Sequence, residues 1–391
     1  MSSAAIGTDL ALAADLICDG ELVGMPTETV YGLAANAFDE AAVLRVFDVK
    51  RRPSFDPLIV HLASAAGLGD VARLDALAPA VRAQVEHLTE RFWPGPLTLV
   101  LPKVADLPDL VTSGLDTVAV RVPDHEMARA LIVVSGVPLA APSANPFGYI
   151  SPTTAAHVVA QLGTAVPYVL DGGECGVGVE STIVAPPLPG VSEEWTVLRD
   201  GGLPREVLAE LLGTTLRDGT LSGDEQRPAA PGQLVSHYAP RTPLRLGALS
   251  ALLEDALQAQ PDARVHLLAF RDVPHALRRD GGGATGAGDA EGGTGARGAG
   301  DARGAGDAER GTGAHGAVAE VARALQEGRV TLECLSRDGD LHGAARALFA
   351  ALRRADVLGA DLILAEPVPD DGLGRAINDR LRRASAPASH P

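Results

Sequence analysis

The feature that most restricts the fold is an alternation. Between residues 1 and 212, short aliphatic runs of strand character alternate with stretches of helical period, and most are bounded by Gly, Pro or Asp. The strand-like runs are 22–25, 58–62, 97–101, 117–122, 168–170, 182–185 and 195–198. The helical stretches are 40–49, 76–91, 125–134, 154–162 and 205–212. Asp39, Asp75, Asp124 and Thr153 or Thr154 stand as N-caps, and Gly136 and Gly163 as stops. This order predicts an α/β domain. Runs 182–185 and 195–198 have no helix between them, so the sheet is expected to be mixed and not purely parallel.

Residues 213–240 turn polar and then proline-rich, with Pro228, Pro231 and Pro240, and are expected to form an interdomain linker. From 241 to 391 a second pattern runs: strands at 244–246, 265–269, 330–333 and 362–365, helices near 249–258, 317–326, 341–354 and 372–383. The βαβα order predicts a smaller doubly wound sheet. Residues 280–317 interrupt it with repeats such as Gly-Ala-Gly-Asp-Ala, and 15 of the chain's 44 glycines fall between Gly281 and Gly316. Almost no bulky apolar side chain stands there to offset ordering entropy, so a disordered surface loop is expected.

The formal net charge of −17 argues against holding nucleic acid by bulk charge. A local basic site is still allowed. Lys50 and Lys103 are the only lysines, and Lys50 lies in Lys50-Arg51-Arg52. Cys18, Cys175 and Cys334 are far apart, so neither a disulfide framework nor a Cys-type zinc site is expected. There is no basic n-region before the first apolar residues and no run of about 18 apolar residues. A cytoplasmic, membrane-free protein is the expectation.

Familiar phosphate-binding devices are missing. Neither lysine follows a glycine, which excludes a P-loop. The loop Gly172-Gly173-Glu174-Cys175-Gly176-Val177-Gly178 leads into a β-branched run and not a helix, so no helix N-terminus could hold a pyrophosphate. Four other features carry chemistry. Lys50-Arg51-Arg52-Pro53 closes a helical stretch; its cations suit either the helix dipole or a polyphosphate. Ser143-Ala144-Asn145 follows an apolar run and reads as a turn or as a site. Arg121 sits in a short apolar strand and needs a partner, either a carboxylate of the chain or one of a ligand. Pro26–Leu33 is a polar turn after a strand.

Read together, PTETVYGLAANAFD, KRRPSFDPLIVH, FWPGPLTLVL, TVAVRVPDH, APSANPFGYISPT, GVGVESTIV, VLRDGG and APGQLVSHYAP occur in that order. This set resembles the threonylcarbamoyl-AMP synthase (YrdC-like) family in its longer two-domain form, densely over about residues 8–240 and by topology beyond. The resemblance implies a YrdC-like domain with a twisted mixed sheet around a basic cavity, a linker over the active site, and a smaller Rossmann-like accessory domain. It also implies formation of L-threonylcarbamoyladenylate and pyrophosphate from L-threonine, bicarbonate and ATP with Mg²⁺. The product serves threonylcarbamoyladenosine modification of tRNA, through the tRNA threonylcarbamoyltransferase machinery. Whether the chain contacts tRNA itself stays open.

Carried over by motif, Lys50 and Arg52 match the K-x-R element and Ser143 and Asn145 the S-x-N element, the implied catalytic set. Asp56, Thr117, Ser143, Ser151, Arg199 and Tyr238 match nucleotide-contacting positions, together with Lys50 and Arg52. Thr29, His61, Arg121, the Ala141 backbone and Ser181 match threonine-contacting positions, and no residue matches a metal ligand. Asp56 departs from the family, which often has Asn there. Two other readings compete. A carbamoyl-adenylate-forming enzyme of hydrogenase maturation would need Cys pairs and more length. A non-catalytic RNA-binding module would need a basic face.

Overall fold

The computed structural model describes residues 4–188, 192–219, 230–233, 236–271 and 323–386. The expected loop at 280–317, and residues 220–229, 234 and 235 of the expected linker, lie outside the described residues. Among the described residues, the first sheet contains Ala5–Gly7 (β1), Val23–Met25 (β2), Gly32–Asn36 (β3), Ile59–His61 (β4), Leu97–Pro102 (β5), Thr117–Arg121 (β6), Leu139–Ala140 (β7), Tyr168–Leu170 (β8), Thr182–Ala185 (β9), Thr196–Arg199 (β10) and Arg217–Asp218 (β11). Their order is β1-β8-β2-β3-β7-β4-β6-β5-β9-β10-β11. β9 and β10 pair antiparallel while β5 and β9 pair parallel, so the sheet is mixed. β11 falls within the stretch expected to be linker and pairs with β10.

Register places the functional side chains. β4 and β6 run parallel with His61 opposite Arg121, and β7 crosses β4 antiparallel with Leu139 opposite His61. His61 and Arg121 therefore stand at the carboxyl ends of β4 and β6, while the residues after β7 pass the amino end of β4, where the Ala141 amide donates to the Ile59 carbonyl (3.0 Å). The helix Glu40–Lys50 supplies the next piece. Asp39 caps it, accepting from the amides of Ala41 and Ala42, and Val43, Val46, Phe47 and Lys50 share its buried stripe. Its C-cap Arg51 takes a left-handed conformation (φ 52°), at a cost of roughly 1 kcal/mol. That turn brings both Lys50 and Arg52 inside.

Two of the expected caps fail. The helix Pro79–Phe92 starts at its proline, and Asp75 does not cap it. His125, and not Asp124, precedes the helix Glu126–Ser135. The structure also adds β1, β3, β7, β11 and the helix Leu10–Cys18. β3 is Gly-Leu-Ala-Ala-Asn, a composition with little strand propensity, held only by its neighbours on both sides.

The second sheet contains Leu244–Leu246 (β12), Val265–Ala269 (β13), Val330–Cys334 (β14) and Leu362–Ala365 (β15), all parallel, in the order β12-β15-β13-β14. Val265, Leu267 and Ala269 pack under the helix Leu249–Ala259. Leu268, Ile363 and Ala365 pack under the helices Leu341–Val357 and Leu373–Ser385. This is the Rossmann-like arrangement that the βαβα pattern predicted. The second core also takes in Val30, Ile150, Val179 and Tyr238, so the two domains share one apolar interior. Gly178 (φ 80°) marks one close approach: a Cβ there would stand 2.3 Å from the Cα of Arg346. Among the described residues no helix is long and apolar enough to cross a membrane.

Candidate active site

One recess collects most of the chemistry. Its walls include Thr29, Arg52, His61, Arg121, Ala141, Ser143, Glu180, Ser181 and Arg199, and its roof includes Gly232, His237 and Tyr238 from the linker.

On one side stands a cationic half. Lys50 is 1% exposed, and its ammonium donates to the carbonyls of Ser143 (2.5 Å) and Asn145 (2.6 Å). Burial lowers its pKa well below the usual lysine value, and the nearby Arg52 charge adds to that. Arg52 donates through Nε to the Asp56 carbonyl (3.0 Å) and through Nη2 to the Pro57 carbonyl (2.8 Å). Nη2 also lies 2.9 Å from Asp56 Oδ2, yet neither carboxylate oxygen of Asp56 accepts a well-directed hydrogen bond. Burial pushes the Asp56 carboxyl up, while Arg52, Lys50 and Arg199 hold it down. Three cations thus surround one carboxylate. The surplus positive charge, out of water, suits a polyanion.

Elsewhere the lining is mixed. Arg121 donates through Nη1 to Thr29 Oγ1 (2.9 Å) and through Nη2 to Glu28 Oε2 (2.6 Å). Its partner in this structure is therefore a carboxylate of the chain. Arg121 Nε and Glu28 Oε1 are buried without hydrogen-bond partners, so the pair keeps capacity for a further polar group. Ser181 Oγ lies 2.8 Å from Thr98 Oγ1, and the Ser181 carbonyl accepts from Arg199 Nε (3.1 Å) and Nη2 (3.0 Å).

His61 is buried, with Nδ1 3.2 Å from the Ile59 carbonyl, and burial followed by the Arg121 charge pulls its pKa down to about 3. A histidine with a depressed folded-state pKa stays neutral in the fold. Its contribution is present above the unfolded value near 6.5 and is lost as pH falls towards about 3. At pH 5 that loss should be about 2 kcal/mol. Denaturant titrations from pH 7 to 5 should show it, and His61→Asn should flatten the slope. An unchanged slope in the variant would remove His61 as its source.

The linker closes the recess. Tyr238 is 1% exposed and adopts a left-handed backbone (φ 62°), its ring 4.1 Å from that of His237 and 5.6 Å from that of Phe349. Gly232 (φ 83°) permits the approach, because a Cβ there would meet the Tyr238 hydroxyl at 2.6 Å. Arg199 Nη1 donates to the Pro231 carbonyl (3.2 Å), and the Ala239 amide donates to the Gly148 carbonyl (2.8 Å).

Of the residues singled out from sequence, Thr29, Arg52, His61, Arg121, Ala141, Ser143, Ser181, Arg199 and Tyr238 come together in the wall or roof. Lys50 and Asp56 stand immediately behind, against Ser143 and Arg52. Three others differ. Asn145 is not in the lining: its Nδ2 donates to the carbonyls of Pro146 (2.8 Å) and Tyr149 (2.9 Å), while its Oδ1 is buried without a hydrogen-bond partner. Ser151 is fully buried and donates to Glu180 Oε1 (2.6 Å). Thr117 heads β6, four residues before Arg121, about 13 Å along the strand.

Sequence reading missed Glu28, Glu180 and Arg380. Glu28 and Glu180 lie inside the quoted motifs, but nothing local says what they pair with. Arg380 left a signal: it falls on the stripe Leu373, Ala376, Ile377, Leu381, Ala384, where an arginine is out of place.

Comparison with known proteins identifies relatives of the whole chain. A family model described as telomere recombination (Sua5/YciO/YrdC) matches residues 15–201, and one described as the C-terminal domain of threonylcarbamoyl-AMP synthase matches residues 203–386. Threonylcarbamoyl-AMP synthase of Pyrococcus abyssi is 38% identical, over 96% of this chain and 94% of its own length. The enzyme of that name from Bacillus subtilis is 36% identical, over 96% and 92%. The crystal structure of P. abyssi Sua5 complexed with L-threonine superposes with a TM-score of 0.73 at 35% identity, covering 96% of this chain and 94% of that one. Because both family models match in order and the relatives align over nearly the full length, the chain belongs to the threonylcarbamoyl-AMP synthase family.

Proposed function

We propose that the protein is a nucleotidyltransferase that forms L-threonylcarbamoyladenylate and pyrophosphate from L-threonine, bicarbonate and ATP. The observation that carries this reading is the division of one closed recess. Arg52 and Arg199, with Lys50 behind Ser143, make one part cationic, and Thr29, His61, Arg121 and Ser181 line another with mixed polar groups. The P. abyssi relative crystallised with L-threonine is consistent with the second assignment.

In this reading the carboxylate of threonine takes the Arg121 guanidinium, in place of or beside Glu28. The amine, as its free base, adds to CO2 from bicarbonate and gives a carbamate; the proton the nitrogen loses balances the one bicarbonate takes up on dehydration, so the net products are carbamate and water. A carbamate oxygen then attacks the α-phosphorus in line. The new P–O bond forms as the bond to the β-phosphate oxygen breaks, and pyrophosphate leaves with the electron pair. No side chain has to shuttle a proton in that displacement. The work of the chain is orientation and neutralisation of phosphate charge by Lys50, Arg52 and Arg199. The linker roof keeps water from the carbamate and from the mixed anhydride.

Among the described residues no group of three or more His, Cys, Asp or Glu could hold a metal ion. Asp56 is a buried carboxylate, but it stands behind the recess wall, 2.9 Å from Arg52 Nη2 and among three cations, and so does not fit as a metal ligand. Mg²⁺ would be held through the triphosphate oxygens and would offset charge on the leaving group. Asp56→Asn should then leave the Mg²⁺ concentration for half-maximal pyrophosphate release unchanged in a folded protein. A several-fold rise in that concentration would make Asp56 a metal ligand.

A cytoplasmic site of action, and delivery of the product to the tRNA threonylcarbamoyltransferase machinery, follow from the same reading. The deciding experiment is mass detection of threonylcarbamoyl-AMP from purified protein, threonine, bicarbonate, ATP and Mg²⁺. A folded protein that forms no adduct, and releases no pyrophosphate in response to threonine, would overturn it.

A further inference from the structure

Arg380 belongs to the second domain yet reaches the wall of the first domain's recess. It lies on the apolar stripe of the helix Leu373–Ser385 and is fully buried. A guanidinium in such a place is tolerated only if it is paired and hydrogen-bonded. Its Nε donates to Glu180 Oε2 (3.0 Å), and its Nη1 donates to the Asp200 carbonyl (2.6 Å) and lies 3.2 Å from Asp379 Oδ2. Its Cζ stands 5.3 Å from the centroid of the Tyr238 ring. Glu180 is itself part of the recess wall, and its other oxygen, Oε1, accepts from Ser151 Oγ at 2.6 Å.

The chain of contacts has a directional consequence. An ionised carboxylate only accepts hydrogen bonds, so the single hydroxyl proton of Ser151 is committed to Glu180. The Ser151 oxygen is left to act as an acceptor. Glu180 can keep that orientation only while its second oxygen is held, and the holding group comes from the other domain, 200 residues away. The same guanidinium covers one face of the linker tyrosine. Two groups of the recess lining, Glu180 and Tyr238, therefore converge on one buried arginine, with Ser151 held behind Glu180.

We infer that Arg380 is a positioning residue for ATP: by fixing Glu180 and the ring of Tyr238, it makes nucleotide binding depend on the docked second domain. The inference rests on the reading that ATP occupies this recess. A purely structural Arg380 would hold the domains together without setting affinity for either substrate.

The test uses the full-length protein and the variants Arg380→Lys, Arg380→Met and Glu180→Gln combined with Arg380→Met. ATP affinity is measured at equilibrium, KM for ATP and for threonine by pyrophosphate release, and Tm by thermal melting. Arg380→Met should weaken ATP by about tenfold while threonine KM stays within about twofold. Arg380→Lys should recover part of the loss, because it keeps the charge beside Glu180 but not the second bond to Asp200. The double variant has no unpaired buried charge, so it should regain thermal stability without regaining ATP affinity. It also serves as the test should Arg380→Met not fold. Variants with lowered Tm but unchanged ATP affinity would overturn the inference, as would a double variant in which both recover. Wild-type protein that binds no ATP would instead overturn the reading of the recess, and the inference with it.

Discussion

Lys50→Ala should slow threonine-dependent pyrophosphate release by about a thousandfold at saturating substrates. The expectation comes from where Lys50 sits and what it is doing there. It is the last residue of a capped helix, brought inside by the left-handed Arg51, and it has only carbonyl oxygens as partners. Burial and the Arg52 charge both press it towards its neutral form. A bound triphosphate supplies the negative charge that opposes this pressure and favours the ammonium. In the transition state for displacement at the α-phosphorus, charge builds on the leaving pyrophosphate, and a preorganised ammonium in a dry site stabilises it most. The alanine variant also leaves the Ser143 and Asn145 carbonyls without their donor, a cost of about 1–3 kcal/mol for each that water does not reach. Thermal melting alongside the rate assay separates the two effects. Lys50→Arg should stay well folded and recover only part of the rate, since the planar fork does not reproduce the compact ammonium. A folded Lys50→Ala protein with rates within tenfold of the parent would show that the phosphates do not lie against this helix end.

Arg121→Met should raise KM for threonine by about a hundredfold and leave ATP affinity nearly unchanged. Arg121 faces two ways: towards Thr29 and the recess, and towards Glu28. Its Nε and Glu28 Oε1 have no partners of their own. A threonine carboxylate can therefore be recruited without dismantling the pair. Removing the guanidinium alone strands Glu28 as a buried charge, a loss of about 3–5 kcal/mol of stability. The combination Glu28→Gln with Arg121→Met avoids that and should fold normally while still failing to bind threonine. If the double variant bound threonine as well as the parent does, the mixed part of the recess would belong to another ligand. Lys50 and Arg121 thus have opposite signatures, one in rate and one in threonine KM, and a protein whose recess is divided as described must show both.

Several parts of this site were open to reading from the chain. Helix Glu40–Lys50 and strands β4 and β6 follow from local period, capping and aliphatic runs, and with them the positions of Lys50, His61 and Arg121. The parallel order of the second sheet followed from the alternation of its elements. Other parts gave no such signal. β3 and β7, which carry the chain past the recess, are short or made of Gly and Ala, and their pairing comes only from neighbours. Asn145 lies in a motif that points to the site, yet its Nδ2 is committed to the backbone of its own loop. A side chain's direction is set by packing at each position, and motif membership does not convey it.

Element order, the mixed character of the first sheet and the grouping of cations at a helix end were determined by the sequence itself. Each depends on interactions within about ten residues, the range over which periodicity, capping and turn chemistry act. Tertiary structure alone decided which carboxylate answers which cation. Arg121 meets Glu28 across 93 residues of chain, and Arg380 meets Glu180 across 200. At such separations the chain carries no local preference for a partner. The pairs are chosen by strand register and by the shared core of the two domains, because a charge removed from water must find its counter-charge wherever the fold has placed one.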